Sequence, residues 1–279
     1  MRPMARLMGI VNVTPDSFSD GGLFLDVEAA VAHGRELAAQ GAEILDVGGE
    51  STRPGAEGVS AEVELARVGP VVEQLASANG ESRPRVSIDT SKLPVAQAAL
   101  DVGAEIVNDV TALRGDPEIA GLCADRGARL VLMHMQGEPR TMQRNPSYRD
   151  VVDDVRAFLE RQLELAVREG LSERRILIDP GIGFGKTVAH NLELIRRLGE
   201  LRRLGRPIVI GTSRKTFIGK LTGREVTDRL GGTVASNVLA LRTGADVFRV
   251  HDVAELRQAL AVAEAILGRR DWRVPAAAR

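Results

Sequence analysis

Residues 176–187 read ILIDPGIGFGKT. Three apolar residues lead to Asp179, Pro180 ends the run, and Gly181, Gly183 and Gly185 alternate with Ile182 and Phe184 before Lys186 and Thr187. A buried strand that ends in a carboxylate and opens into a glycine-rich loop has the form of a site. Pro180 fixes the exit, and the glycines let a ligand approach the backbone closely. A buried carboxylate there needs a partner, from the protein or from a ligand. Two familiar phosphate-binding motifs do not match. A P-loop needs glycine where Pro180 stands, and a dinucleotide fingerprint needs glycine where Lys186 stands. Taken alone, the stretch is equally well a tight turn between strand and helix with a helix-capping or salt-bridged aspartate.

The same pattern recurs along the chain. Apolar strands are predicted at 6–13, 43–47, 85–89, 105–109, 129–135, 176–179, 207–213 and 246–252. Between them lie helical patterns. One starts at Asp26 as N-cap and stops at Gly41, and another runs over 60–78 behind a Ser60 cap. Further patterns follow Thr90, Ser91 and Lys92, cover 150–170, and cover 253–268. Gly-Ala pairs at 41–42, 103–104, 127–128 and 244–245 suit short returns from helix to strand. Alternation of this kind implies a parallel sheet with right-handed crossovers. Eight units in 279 residues favour one α/β domain, a (β/α)₈ TIM barrel spanning 5–268 with a loosely held tail at 269–279. A doubly wound open sheet is the alternative, but nothing in the chain marks a switch point.

Composition narrows the function. With 37 basic and 38 acidic residues the net charge is −1, which gives no electrostatic footprint for nucleic acid. The single cysteine, Cys123, cannot form an intramolecular disulfide and sits in a helical pattern, so it reads as a core residue in a reducing compartment. No apolar run approaches the length of a membrane span, and residues 1–5 lack the apolar region of a signal peptide. The expected location is the cytoplasm, with no membrane partner.

Barrel chemistry gathers at the C-terminal ends of the strands. Those ends here carry Asn12, Asp46, Asp89, Asn108, Asp109, His134, Asp179, Ser213, Arg214, Lys215, Arg249 and His251. Singly, each has a plain explanation: Asp89 as a helix cap, Asn108–Asp109 as a turn, His134 as a hydrogen-bonded wall. Together they would crowd one mouth. Carboxylates and amides with lysine and arginine alongside suit a small polar heterocycle below an anionic group. There is no His-x-x-x-His, cysteine pair or carboxylate–histidine cluster for zinc, and no Gly-x-Ser-x-Gly nucleophile. Oxygens of Asn12 and Asp20 suit Mg²⁺ completed by substrate phosphates. Ser213, Arg214 and Lys215 after the seventh strand, with Arg249 and His251 after the eighth, fit an anion site; a solvated basic turn is the alternative for each.

With these residues in view, the chain resembles the bacterial dihydropteroate synthase family of folate synthesis. The stretches that carry the resemblance are NVTPDSFSDGG at 12–22, DVGGESTRPG at 46–55, SIDTSK at 87–92, NDV at 108–110, LMHMQGEP at 132–139, DPGIGFGKT at 179–187, GTSRK at 211–215 and RVHDV at 249–253. The resemblance implies a TIM barrel, a homodimer, a requirement for Mg²⁺, and condensation of 6-hydroxymethyl-7,8-dihydropterin diphosphate with p-aminobenzoate. It implies a catalytic set of Asp89, Asp179, Lys215 and Arg249. Asp89, Asn108, Asp179 and Lys215 would line the pterin pocket, with Met133 and Phe184 as apolar walls. Asn12, Thr52, Arg249 and His251 would hold the diphosphate, Asn12 and Asp20 would approach Mg²⁺, and Phe18, Arg53, Pro54 and Ser213 would shape the p-aminobenzoate site, where sulfonamides compete. Two rivals remain at this level: a pterin-binding methyltransferase, and an inactive paralogue that only binds pterin or a partner protein.

Overall fold

The computed structural model describes residues 4–14, 22–51, 55, 57–77 and 83–270. In chain order the elements are β1 (Arg6–Asn12), α1 (Gly22–Ala39), β2 (Ile44–Gly48), α2 (Ala61–Ala76), β3 (Arg85–Asp89), α3 (Leu93–Asp101), β4 (Ile106–Asp109), α4 (Glu118–Asp125) and β5 (Arg129–Met133). There follow α5 (Val151–Arg168), β6 (Ile176–Asp179), α6 (Val188–Arg196), β7 (Val209–Ile210), α7 (Thr216–Thr222), α8 (Leu230–Thr243), β8 (Val247–Val250) and α9 (Val253–Ile266).

All the strand pairs among these residues are parallel, in the order β6-β5-β4-β3-β2-β1-β8-β7. A parallel bridge between Ile178 and Ile208 brings the two ends together, with the Ile178 N–H donating to the Pro207 carbonyl at 3.0 Å. That contact closes the sheet into the expected TIM barrel and excludes the open doubly wound alternative.

Period-two alternation sorts each strand onto two faces. Leu45, Val47, Val107, Leu130, Leu132, Ile176, Ile178 and Phe248 belong to the core between sheet and helices. Met8, Ile44, Ile106, Val131, Leu177, Val209 and Val247 form a separate cluster, the apolar filling of the barrel interior. Two residues further along several of these strands stand Asp46, Asn108, Asp179 and Arg249, on the same inward face and one layer nearer the C-terminal mouth.

Some boundaries differ from the sequence expectation. Helix α1 begins at Gly22, so Asp26 lies inside it and is not its cap. Strand β7 shrinks to Val209–Ile210 because the backbone beyond it turns away: the Lys215 N–H meets the Thr212 carbonyl, and Arg214 adopts a left-handed φ of 56°. Helix α7 is an addition to the simple eightfold alternation. The capping at Ser60 holds, its Oγ accepting the Val63 N–H at 3.3 Å, and Asp150 caps α5 through the N–H groups of Val152 and Asp153.

Candidate active site

Asp179 closes β6 beside Met133 of β5. Its Oδ1 accepts the Gly181 N–H at 2.7 Å. Gly181 has φ +66°, and a Cβ there would stand 1.9 Å from the His134 carbonyl oxygen, so only glycine lets this loop lie on the end of β5. The rest of the loop is clamped from behind. Lys186 is buried, with Nζ 2.9 Å from His134 Nδ1 and 2.9 Å from the Phe184 carbonyl, while the Tyr148 hydroxyl donates to the Gly185 carbonyl at 2.7 Å. Burial, with Lys186 and Arg114 adding to it, pushes His134 down to about 2. The imidazole is therefore neutral, with its Nδ1 in hydrogen-bond contact with Lys186 Nζ. His134 is the hydrogen-bonded wall that its sequence position allowed.

On the pocket side, the Lys215 ammonium stands 4.0 Å from the centre of the Phe184 ring, and its chain packs against Gly183, where a Cβ would come within 3.1 Å of Lys215 Cδ. Phe184 packs in turn on a small apolar cluster of Val110, Met133, Met135 and Met142. A flat aromatic wall next to a cation and a carboxylate is the environment a polar ring needs. Burial pushes Asp179 up to about 6, against the Gly181 N–H and the charges of Lys215, Arg249 and Lys186. Burial pulls Lys215 down to about 8; Asp179 and Asp89 oppose this and Arg249 adds to it.

Arg249 ties the floor of the pocket together. Its Nε donates to Asp46 Oδ2 at 2.6 Å and its Nη2 to Asp89 Oδ2 at 2.7 Å. Asn108 Nδ2 donates to the same Asp46 oxygen at 3.0 Å. Burial works against the guanidinium charge, yet Asp46, Asp89 and Asp179 hold its affinity for the proton above the ordinary value. Burial pushes Asp89 up to about 7; Arg249 opposes the rise, and Asp46, Glu64 and Asp109 add to it. Asp89 is thus engaged with Arg249, and no side chain caps α3. Asn108 and Asp109 divide the two readings open to them: Asn108 faces the site, while Asp109 holds the turn through Thr111 and Leu113.

Asp89, Asn108, Met133, Asp179, Phe184, Ser213, Lys215, Arg249 and His251 line one pocket, together with Ile10, Val110 and Ile182. Ser213 Oγ lies 3.0 Å from His251 Nδ1. Asn12 ends β1 and is half-buried outside that lining. Phe18, Asp20, Thr52, Arg53 and Pro54 lie outside the described residues. Among the described residues no group of three His, Cys, Asp or Glu side chains converges on a metal position. The hard oxygen of Asn12 does suit Mg²⁺ of the kind that takes one or two protein ligands and completes its shell from phosphates. Sequence reasoning placed Asp46 at the mouth without a role; the structure makes it the buried partner of both Arg249 and Asn108. It gave Lys186 no role either, because nothing in the chain tells that this lysine turns inward.

The family described as pterin binding enzyme matches residues 8–251. Dihydropteroate synthase of Escherichia coli K12 is 44% identical over 265 residues, covering 95% of this chain and 93% of that protein. The structure of Xanthomonas albilineans dihydropteroate synthase with 4-aminobenzoic acid is 49% identical at a TM-score of 0.88, covering 98% of this chain and 94% of that one. The Yersinia pestis dihydropteroate synthase in a sulfonamide drug complex is 42% identical at a TM-score of 0.89, with 95% of each chain covered. The chain belongs to the pterin binding enzyme family, among the bacterial dihydropteroate synthases.

Proposed function

We propose that the chain joins 6-hydroxymethyl-7,8-dihydropterin diphosphate to p-aminobenzoate, giving 7,8-dihydropteroate and pyrophosphate, with the pterin held between Asp179 and Lys215. The observation that carries this reading is the pairing of those two charges across an apolar wall. Asp179 has one oxygen committed to Gly181, which leaves the other to accept from the 2-amino and N3–H edge of a pterin. Lys215 donates to the ring carbonyl, and Phe184 and Met133 cover the ring. Asn108 and Asp89 close the far edge.

The carbon–oxygen bond between the pterin methylene and the diphosphate breaks, and its electron pair leaves with the diphosphate. The electron-rich pterin ring spreads the positive charge left on the methylene. The neutral aniline nitrogen of p-aminobenzoate forms the new carbon–nitrogen bond and then gives up its proton, so no strong base is required. Arg249 and His251, with Asn12, meet the departing charge, which a half-buried cation with little solvent around it offsets better than water does, and Ser213 belongs to the p-aminobenzoate site. Mg²⁺ at Asn12 and Asp20 would supply further charge compensation on the diphosphate. Phe18, Thr52, Arg53 and Pro54 belong to the same reading, as residues that complete the diphosphate and p-aminobenzoate sites. Sulfonamides, as aniline mimics, compete there.

No helix among the described residues is long and apolar enough to cross a membrane, and a cytoplasmic homodimer is part of the proposal. The test is pyrophosphate release by the purified protein with pterin diphosphate and Mg²⁺, with and without p-aminobenzoate. Release that yields dihydropteroate only when p-aminobenzoate is present supports the reading. Tight pterin binding with neither product would contradict it.

A further inference from the structure

The chain leaves β2 at Gly48, makes an excursion, and enters α2 after Ser60. Glu50 closes the neck of that excursion: its Oε1 accepts the Val59 N–H at 3.0 Å, and a Cβ on Gly58 would stand 3.0 Å from the same oxygen. The other oxygen, Oε2, accepts from Lys92 Nζ at 2.8 Å. Lys92 also pairs with Glu64, which is fully buried in the first turn of α2. Arg67, on the same helix, donates to the Gly49 carbonyl at 2.8 Å. One ammonium thus joins three elements: the end of β3, three residues beyond Asp89; the start of α2; and the neck of the loop 50–59. Lys92 occupies the N-cap position of α3 but makes no side-chain cap there. The cluster has two carboxylates and one cation, and Glu64 Oε1 has no hydrogen-bond partner among the described residues, so the arrangement depends on Lys92.

We infer that Lys92 is a positioning residue for the second substrate, which holds the neck of the segment between β2 and α2, where Glu50 meets Val59, and touches neither reactant. The inference rests on the proposed function, because it is there that Arg53 and Pro54 of this loop shape the p-aminobenzoate site. A role in folding alone would be met by the Glu64 pair. The second arm, to the carboxylate that also accepts the Val59 N–H, is what gives Lys92 its hold on the neck.

Lys92→Met alone strands a buried carboxylate, so the test uses Lys92→Met with Glu64→Gln, and separately Glu50→Gln, which keeps an acceptor for the Val59 N–H. Steady-state kinetics on the double variant should show KM for p-aminobenzoate raised on the order of tenfold, with KM for pterin diphosphate within about twofold. Glu50→Gln should show a smaller rise in the same parameter, and Lys92→Arg should restore most of it. Amide hydrogen exchange should quicken across 50–59 and not in β6. An unchanged KM for p-aminobenzoate, or an equal rise in both KM values, overturns the inference. Unchanged exchange in the loop overturns it too. If the unaltered protein makes no dihydropteroate, the proposed function fails, and the exchange measurement still decides whether Lys92 fixes the loop.

Discussion

The interior of this barrel has two layers two residues apart, and they do different work. Ile44, Ile106, Leu177 and Val247 are part of an apolar filling. Asp46, Asn108, Asp179 and Arg249 are the next inward residues of the same four strands, and they form or adjoin the charged network of the pocket. The backbone is the same in both layers; only the side chains change. The lower layer contributes burial, so it is tied to stability. The upper layer holds charges that are satisfied in part by one another, with Asp46 and Asp179 buried, and under the proposed function a ligand meets the rest, which ties the layer to binding at a cost in stability.

Exchanging the property of one layer is the strongest way to break this contrast. Asp179→Asn removes the acceptor for the pterin edge, and product formation should fall on the order of a hundredfold or more in a kcat/KM assay. Lys215→Ala should depress the same quantity by about ten- to a hundredfold, the smaller effect because Arg249 remains nearby. In the lower layer, Leu177→Ala should lower unfolding free energy by roughly 2–5 kcal/mol in denaturant titration, with both KM values close to those of the unaltered protein.

Proton linkage sharpens the comparison. The folded state raises Asp179 to about 6 and Asp89 to about 7, so both hold protons more tightly in the fold than in the unfolded chain. Their contribution to stability is full below about pH 4 and is lost as pH rises through 6 to 7. The ligand-free protein should therefore lose Tm relative to Asp179→Asn across that window. Pterin binding should run the other way, strengthening as Asp179 ionises near pH 6 and weakening as Lys215 loses its proton near pH 8. The smallest effect expected is Tyr148→Phe, which removes the hydroxyl contact to Gly185 and should cost about 1 kcal/mol of stability.

The upper layer was largely legible in the sequence because strand ends are: an apolar run stopped by Asp89, Asn108 or Asp179 points that residue at the mouth of a parallel barrel. Pairings were not. Asp46 and Arg249 are 203 residues apart in sequence and meet only because β1 lies between β2 and β8. Nothing local announces that Lys186 faces His134 instead of solvent, or that Lys92 reaches back to Glu50. The Asp26 cap failed for a different reason. Its residue type suits a cap, but the helix begins a turn earlier at Gly22. The roles of Phe18, Asp20, Thr52, Arg53 and Pro54 rest on motif resemblance, since these residues lie outside the described structure.

The division between layers is tested most directly by the dissociation constant of pterin diphosphate, measured by calorimetry for the unaltered protein, Asp179→Asn and Leu177→Ala under conditions where all three are folded. The expected result is a loss on the order of a hundredfold for Asp179→Asn and a change of no more than about threefold for Leu177→Ala. Equal losses in the two variants, or retained affinity in Asp179→Asn, would contradict the assignment of binding to the upper layer.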